Sequence, residues 1–186
     1  MTEQNWENRK VSGRDEVLRE IEKRANANAA AVAADVRAVM HDYEVDMYRL
    51  VLSIGRHYGM EKAYEIMSET VAEKRLKWFA QNVRLQDLKG SDVEKGFAMY
   101  VDYFHPKEED FRVDAVQPDQ IRFSRKDFIG AIACACQVLG LDVLEVNNKV
   151  YAQAMDKLLA NINPRLKNRF AGFHDGWYDE VIELVP

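Results

Sequence analysis

The chain has 186 residues, of which 47% are hydrophobic and 31% charged, and its 26 Lys and Arg against 31 Asp and Glu give a net charge of -5. This length predicts about one domain, and the composition excludes collagen-like, mucin-like and wholly disordered chains. Bulk nucleic-acid binders are usually basic, so the acidic balance predicts no nucleic-acid partner.

The first 14 residues lack the apolar segment that a signal peptide contains. No stretch of about 18 consecutive apolar residues occurs in the chain. We therefore predict no secretion signal and no membrane association. Two cysteines, Cys134 and Cys136, are too few and too close together for a disulfide framework. Together these features predict a reducing, cytoplasmic compartment.

The N-terminal half is patterned as helix. Residues 1–13 are polar and predict a flexible tail, and residues 14–186 predict one α+β domain that is helical over 14–105 and mixed over 106–186. A first helix is predicted over 14–27. A long helix is predicted over 29–58, with one apolar stripe at spacings of three and four: Val32, Val36, Met40, Tyr43, Met47, Leu50, Ile54 and Tyr58.

Gly59 is placed to end that helix, and a second long helix is predicted over 61–88. Two long antiparallel helices joined by a short turn form a hairpin. Such hairpins often pair again across a two-fold axis, so we predict a homodimer or a higher homo-oligomer.

The C-terminal half mixes strands with helices. After a capping box at Ser91 and Glu94, a third helix is predicted to end before His105. Alternating residues predict strands over 111–115, 121–123, 166–173 and 177–185, and helices are predicted over 126–139 and 143–160. The predicted class is mainly helical α+β, with a long N-terminal helical hairpin and a small antiparallel sheet made of two hairpins.

One row of polar side chains follows the long helix: His41, Glu44 and Tyr48 share a face. They are candidates for an acid/base pair with a substrate-binding hydroxyl, or for half of a metal site. The row is also compatible with a solvated polar edge beside the apolar stripe, and we favour that interpretation because the stripe already supplies a buried face.

The last hairpin offers a second group of candidates. His174 and Asp175 at its tip are candidate catalytic residues, although Asp-Gly also serves simply as a turn. Arg165 and Arg169 share a strand face and are candidates to receive a substrate carboxylate, although such a face is more often solvated or salt-bridged. Asn148 is a further substrate-binding candidate.

Phe170 and Phe173 are three residues apart in this hairpin. The alternation of side chains along a strand places them on opposite faces, so we predict that they do not form one aromatic cluster.

Cys134 and Cys136 lie in a small, apolar run. They are possible thiol nucleophiles, but nothing local in the sequence lowers a thiol pKa, and we favour inert buried cysteines. Their spacing does not suit zinc. The chain contains no P-loop, no G-x-G-x-x-G, no G-x-S-x-G and no H-E-x-x-H. We therefore predict no metal and no cofactor.

Several short motifs resemble the L-2-amino-thiazoline-4-carboxylic acid hydrolase-like family over roughly residues 42–185. They are Tyr43-Glu44, the run 58–63, Val138-Leu139-Gly140, the run 162–165 and the final Gly-containing hairpin. The resemblance implies a small, mainly helical α+β protein, and an activity that opens a cyclic C=N–S ring to an N-carbamoyl-cysteine type of product.

The family pattern carries cysteines at three places where this chain has none: near Gly130, near Asn148, and in the last strand at 177–180. The resemblance therefore does not imply the same thiol chemistry, and the chain resembles a divergent member.

The expected function is that of a small-molecule enzyme resembling hydrolases that open a C–N bond in a small heterocycle or a related carboxylate-bearing substrate. His41, Glu44 and His174 are its acid/base candidates, and Arg165 or Arg169 anchors the carboxylate. The alternatives are a non-catalytic small-ligand-binding protein that kept the fold, and a helical interaction protein that acts through the 29–88 hairpin.

Overall fold

The structure is a computed structural model that describes residues 38–127 and 130–186. The predicted tail over 1–13, the predicted helix over 14–27 and the start of the long helix lie outside the described residues. The chain divides into two compact units, Met1–Met40 and His41–Pro186, and the following description concerns the second.

Two helices open this unit. Helix α1 covers 38–58, of which 41–58 belong to this unit, and helix α2 covers Met60–Asn82, with Gly59 between them at a φ of 87° that favours glycine. Both helices contribute side chains to one core cluster, as the predicted hairpin requires. Helix α2 ends at Asn82 and not near residue 88, because the Asn82 amide donates to the Trp78 carbonyl and Val83 is extended.

Only part of the predicted apolar stripe of α1 faces the core of the unit, where Met47 and Ile54 pack against the core cluster. The side chains that α1 buries are Val45, Tyr48 and Val51, whereas Tyr43 and Leu50 are 61% and 62% exposed. Helix α1 therefore carries apolar residues on more than one face, and Tyr43 and Leu50 of the predicted stripe lie outward.

Helix α3 covers Asp92–Phe104 and begins at the predicted capping box, in which the Glu94 amide donates to Ser91 Oγ and the Ser91 amide donates to Glu94 Oε2. The remaining helical elements are α4 (Ala131–Leu139), α5 (Val143–Val146), a π-helical segment (Asn147–Ala152) and α6 (Gln153–Leu159), with short 3-10 turns at Leu85–Asp87 and Glu108–Asp110.

Four antiparallel strands form the predicted small sheet. They are β1 (Phe111–Val116), β2 (Gln120–Lys126), β3 (Leu166–His174) and β4 (Trp177–Leu184), in the order β1-β2-β4-β3. The second hairpin turns at Asp175 and Gly176, both with positive φ, as the Asp-Gly pair predicts. The helix predicted to begin at Lys126 begins later, because Lys126 still pairs with Trp177 of β4.

The core has two main parts. Helices α3 and α6 cover one face of the sheet around Tyr100, Phe123, Met155 and Ile182, and the helical part packs around Tyr48, Tyr64, Ala135 and Val150. Phe170 and Tyr178 of the sheet pack with Ala152 of the π-helical segment. Within the described residues, no helix is both long and apolar enough to cross a membrane.

Candidate functional site

The Asp127 carboxylate lies at the centre of a buried polar cluster. Its backbone follows β2 directly and donates to the Gly176 carbonyl at 2.8 Å, and its Oδ2 accepts from the Ala133 amide at 3.1 Å. Burial raises the Asp127 pKa, whereas the Ala133 amide, the Tyr178 hydroxyl, Arg125 and His41 act to lower it. Asp127 thus links the end of β2 to the first turn of α4.

The Glu44 carboxyl of α1 belongs to this cluster. Its pKa is raised to about 7, first by burial and then by the nearby charge of Asp127. Its Oε2 is buried and has no hydrogen-bond partner. A carboxyl with this pKa exchanges its proton at neutral pH, as a general acid or base must.

Two tyrosines continue the cluster beside Glu44. The Tyr48 hydroxyl of α1 donates to the Tyr151 hydroxyl at 2.9 Å. Burial is the main cause that raises the pKa of both phenols, and Glu44 raises each of them further. The Tyr151 carbonyl accepts from Arg75 Nη1 at 2.7 Å. Arg75 is itself buried among the rings of Tyr103, Phe104 and Tyr151.

Tyr178 and Asn147 complete the cluster on the sheet side. The Tyr178 hydroxyl and Asn147 Oδ1 are buried and form no well-aligned hydrogen bond, although the hydroxyl lies close enough to Asn147 and Asp127 to interact with both. Burial and the Asp127 charge raise the Tyr178 pKa, whereas the Asn147 side chain acts to lower it. Asn147 begins the π-helical segment, and such segments occur frequently at functional sites.

We call the following residues the Asp127 cluster: Glu44, Tyr48, Asp127, Asn147, Tyr151 and Tyr178. Glu44 Oε2, Asn147 Oδ1 and the Tyr178 hydroxyl are its three unpartnered atoms. Buried polar groups normally have partners, so unpartnered ones need an explanation. Among these groups, an ionised carboxylate and an amide oxygen accept hydrogen bonds, and a phenol can donate or accept one.

A second hydrogen-bonded network contacts the cluster at the Tyr178 ring. Arg125 Nε donates to Glu180 Oε1 and to the Tyr100 hydroxyl, each at 2.6 Å, and the Tyr100 hydroxyl donates to Glu180 Oε1 at 2.9 Å. The Asn168 amide reaches the other oxygen of Glu180. The Arg125 guanidinium lies 5.1 Å from the centre of the Tyr178 ring and so fixes its position.

The structure brings three of the predicted residues, His41, Glu44 and Tyr48, to the Asp127 cluster. The interpretation of their row as a solvated edge was wrong for Tyr48, which is fully buried, and for Glu44, whose Oε2 is buried. His41 is partly buried, and its interaction with Asp127 acts to lower the pKa of that carboxyl.

Three other predicted residues have structural contacts. Asn148 binds the Phe170 backbone twice: its amide donates to the carbonyl and its Oδ1 accepts from the N–H, both at 2.9 Å. Arg165 Nε donates to the Val185 carbonyl at 2.8 Å, and Asp175 is an exposed turn residue with a φ of 49°.

His174 and Arg169 lie elsewhere, in an open groove of about 500 Å³ on the outer face of the sheet. His174 Nδ1 is 3.3 Å from Asp179 Oδ2, and Ser124 Oγ is 2.8 Å from Asp179 Oδ1. The aspartate therefore stands between the serine and the histidine, which is the wrong order for a Ser-His-Asp relay. Arg169 Nε is 3.4 Å from Glu183 Oε1, so this arginine is salt-bridged.

The two cysteines differ in burial. Cys136 is buried, and its pKa is raised to about 12 chiefly by that burial, so its thiol stays protonated at neutral pH. Cys134 is half-buried. In the described part of the chain, no group of three or more His, Cys, Asp or Glu side chains is arranged to hold a metal ion.

Sequence reasoning missed Asp127, Asn147, Tyr151 and Tyr178. The only local signal was an aspartate at the end of an alternating strand, just before a small apolar helix. Comparison of the chain with protein-family models, with curated proteins and with solved structures gives no match.

Proposed function

We propose that the chain is a small-molecule enzyme that works by general acid–base catalysis in the Asp127 cluster. The observation that carries the proposal is Glu44: a carboxyl with a pKa of about 7 and a buried, unpartnered oxygen, beside a second carboxylate. Pairs of titratable groups with shifted pKa values are typical of catalytic sites, because the catalytic pKa must lie near the working pH.

The proposed reaction is hydrolysis of a C–N bond in a small heterocycle. Ionised Glu44 takes a proton from water, whose oxygen attacks the ring carbon. The C–N bond then breaks, and Glu44 returns the proton to the departing nitrogen. Burial and the charge of Asp127 keep the pKa of Glu44 high enough for the second step, and Tyr178 and Asn147 hold the substrate by hydrogen bonds.

The family resemblance supports this location. The three places where the family pattern has cysteines lie near Gly130, near Asn148 and in the last strand, and Asp127, Asn147 and Tyr178 come from those same segments. Carboxylate, amide and phenol groups stand in that part of this chain, and the Cys136 thiol is protonated. We infer that any catalysis here uses oxygen acids and bases, not a thiolate.

The test is turnover of a panel of small cyclic amidines and imides with and without a carboxylate, including 2-amino-thiazoline-4-carboxylate, followed by mass spectrometry of the ring-opened product. Glu44→Gln and Asp127→Asn should each lower kcat/KM at least about 100-fold, whereas Glu73→Gln, on the exposed face of α2, should not change it. Full turnover by Glu44→Gln would refute the assignment.

A second candidate is a ligand-binding protein without catalysis. It is favoured by the absence of thiol groups from the three places of the family pattern. Saturable binding of a panel compound by calorimetry, lost in Tyr178→Phe and without any product, would select this alternative.

A cytoplasmic location remains part of the proposal, and both cysteines are free thiols, as a reducing compartment requires.

A further inference from the structure

We propose that the outward face of α1 binds a second copy of this chain, with the two α1 helices antiparallel about a two-fold axis. This inference is independent of the Asp127 cluster, because the side chains involved are on the other side of the helix. Tyr43 and Leu50 are seven residues apart and therefore share one face, on which both are more than 60% exposed.

The outward face continues into the core edge of the helix. Met47 and Ile54 are half-buried, pack against the core cluster from one side and alternate with Tyr43 and Leu50 at spacings of four and three. This is the spacing of an interhelical seam, in which side chains of one helix insert between those of another. Contiguous exposed apolar side chains with a polar border mark interaction sites on soluble proteins.

The charges beside this face identify the partner. Asp42 and Asp46 flank its first half, and Arg49 and Arg56 flank its second half on the same side; all four are exposed. A two-fold axis that relates two antiparallel helices places the first half of one helix beside the second half of the other. Acidic residues of each copy then lie beside basic residues of its partner, twice in one interface.

A parallel two-fold arrangement would instead place this flank of each helix beside the opposite flank of its partner, so the acidic half of one copy would not meet the basic half of the other. The flank charges therefore select both a second copy and its direction. Within one chain, Asp46 Oδ1 and Arg49 Nη1 are 2.9 Å apart, and both side chains remain more than half exposed. Both side chains therefore lie at the surface, where a partner can contact them.

The experiment uses the full-length chain and light scattering coupled to size exclusion over a concentration series. Wild type is expected at twice 21.5 kDa, and Leu50→Glu at the monomer mass. Glu73→Arg, a comparable charge change on the exposed face of α2, should leave the dimer intact. A wild type that is monomeric at every concentration, or a Leu50→Glu variant that still dimerises fully, would overturn the proposal.

Two charge variants test the direction. The double variants Asp42→Arg/Asp46→Arg and Arg49→Asp/Arg56→Asp each carry one sign of charge along the whole flank. Each alone should dimerise at least about tenfold more weakly than wild type, and an equimolar mixture should recover the dimer. Because all four positions are exposed, circular dichroism should show unchanged helix content. Wild-type dimerisation by both separate variants would exclude the antiparallel interface.

Discussion

The Glu44 carboxyl and the Asp127 carboxylate, 83 positions apart in sequence, are both withdrawn from water, and burial followed by the Asp127 charge raises the Glu44 pKa to about 7. Neither group forms an ion pair with the other, because both are acids. Their proximity destabilises the doubly ionised state, so the pair retains a proton to higher pH than isolated carboxyls do.

Tyr178 and Tyr100 should respond differently to loss of the hydroxyl. Tyr178→Phe removes a buried hydroxyl that forms no well-aligned hydrogen bond, so the free energy of unfolding should change by less than about 1 kcal/mol. Tyr100→Phe removes a hydroxyl that binds Glu180 and Arg125, and should lower it by about 1.5–3 kcal/mol. Urea denaturation of both variants checks this difference. Equal losses would show that the Tyr178 hydroxyl has a structural partner.

The stability of the protein should depend on Glu44 between about pH 4.5 and pH 7. The folded-state pKa is raised to about 7 from 4.5, so the folded protein binds more protons than the unfolded chain in this window. The contribution is complete below pH 4.5 and is lost as the pH rises through 7. Allowing for solvent screening of a half-buried group, the loss is on the order of 1–3 kcal/mol.

Urea denaturation at several pH values measures this slope in wild type and in Glu44→Gln, which cannot ionise. The variant should lose less stability than wild type over the window, while Glu73→Gln should follow wild type. Asp127 and Asp156, whose pKa values burial also raises, contribute a residual slope of the same sign to all three proteins. Parallel curves for wild type and Glu44→Gln would contradict the raised pKa.

Two ion pairs of the sheet should differ greatly in their effect on stability. The pair between Arg125 and Glu180 is buried, so Glu180→Gln leaves a buried guanidinium without its counter-ion and should cost about 3–5 kcal/mol. The pair between Arg169 and Glu183 is largely exposed, and Arg169→Met should cost less than about 1 kcal/mol. Thermal and urea denaturation of the two variants test this contrast; similar losses would mean that Arg125 is solvated.

Cys136 should resist alkylation in the folded protein. Burial raises its pKa to about 12, so hardly any thiolate exists at pH 8 and the sulfur is shielded. Peptide mass spectrometry after iodoacetamide should find Cys136 unmodified when glutathione in the same tube has reacted, and fully modified in urea. Rapid modification of Cys136 in the folded protein at neutral pH would contradict this and make the thiol a candidate nucleophile.

The sequence predicted those elements whose signals are local. The alternation in β1 to β4, the Asp-Gly turn at Asp175 and the capping box at Ser91 each depend on neighbouring residues, and each is present in the structure. The choice between the two apolar faces of α1 was not local. It depends on which face the rest of the unit covers, and the regular spacing of Tyr43 and Leu50 could not reveal that.

Two features of the site required tertiary information. A bulge in β3 between Phe170 and Gly172 shifts the alternation, so Phe170 and Phe173 both pack on Tyr178 although they were predicted on opposite faces. Asp127 is a functional candidate only because it is buried and lies close to Glu44 of a distant helix. Glu44 itself could be selected from sequence by its position on α1, but its shifted pKa could not.

The most direct test of this account is a carbon-13 NMR titration of the Glu44 side-chain carboxyl, assigned by its loss in Glu44→Gln. We expect a midpoint near pH 7 in wild type and a lower midpoint in Asp127→Asn, because that substitution removes the second charge. A midpoint near the ordinary value of 4.5 in wild type would contradict the account, since Glu44 would then be ionised throughout the neutral range and unable to return a proton.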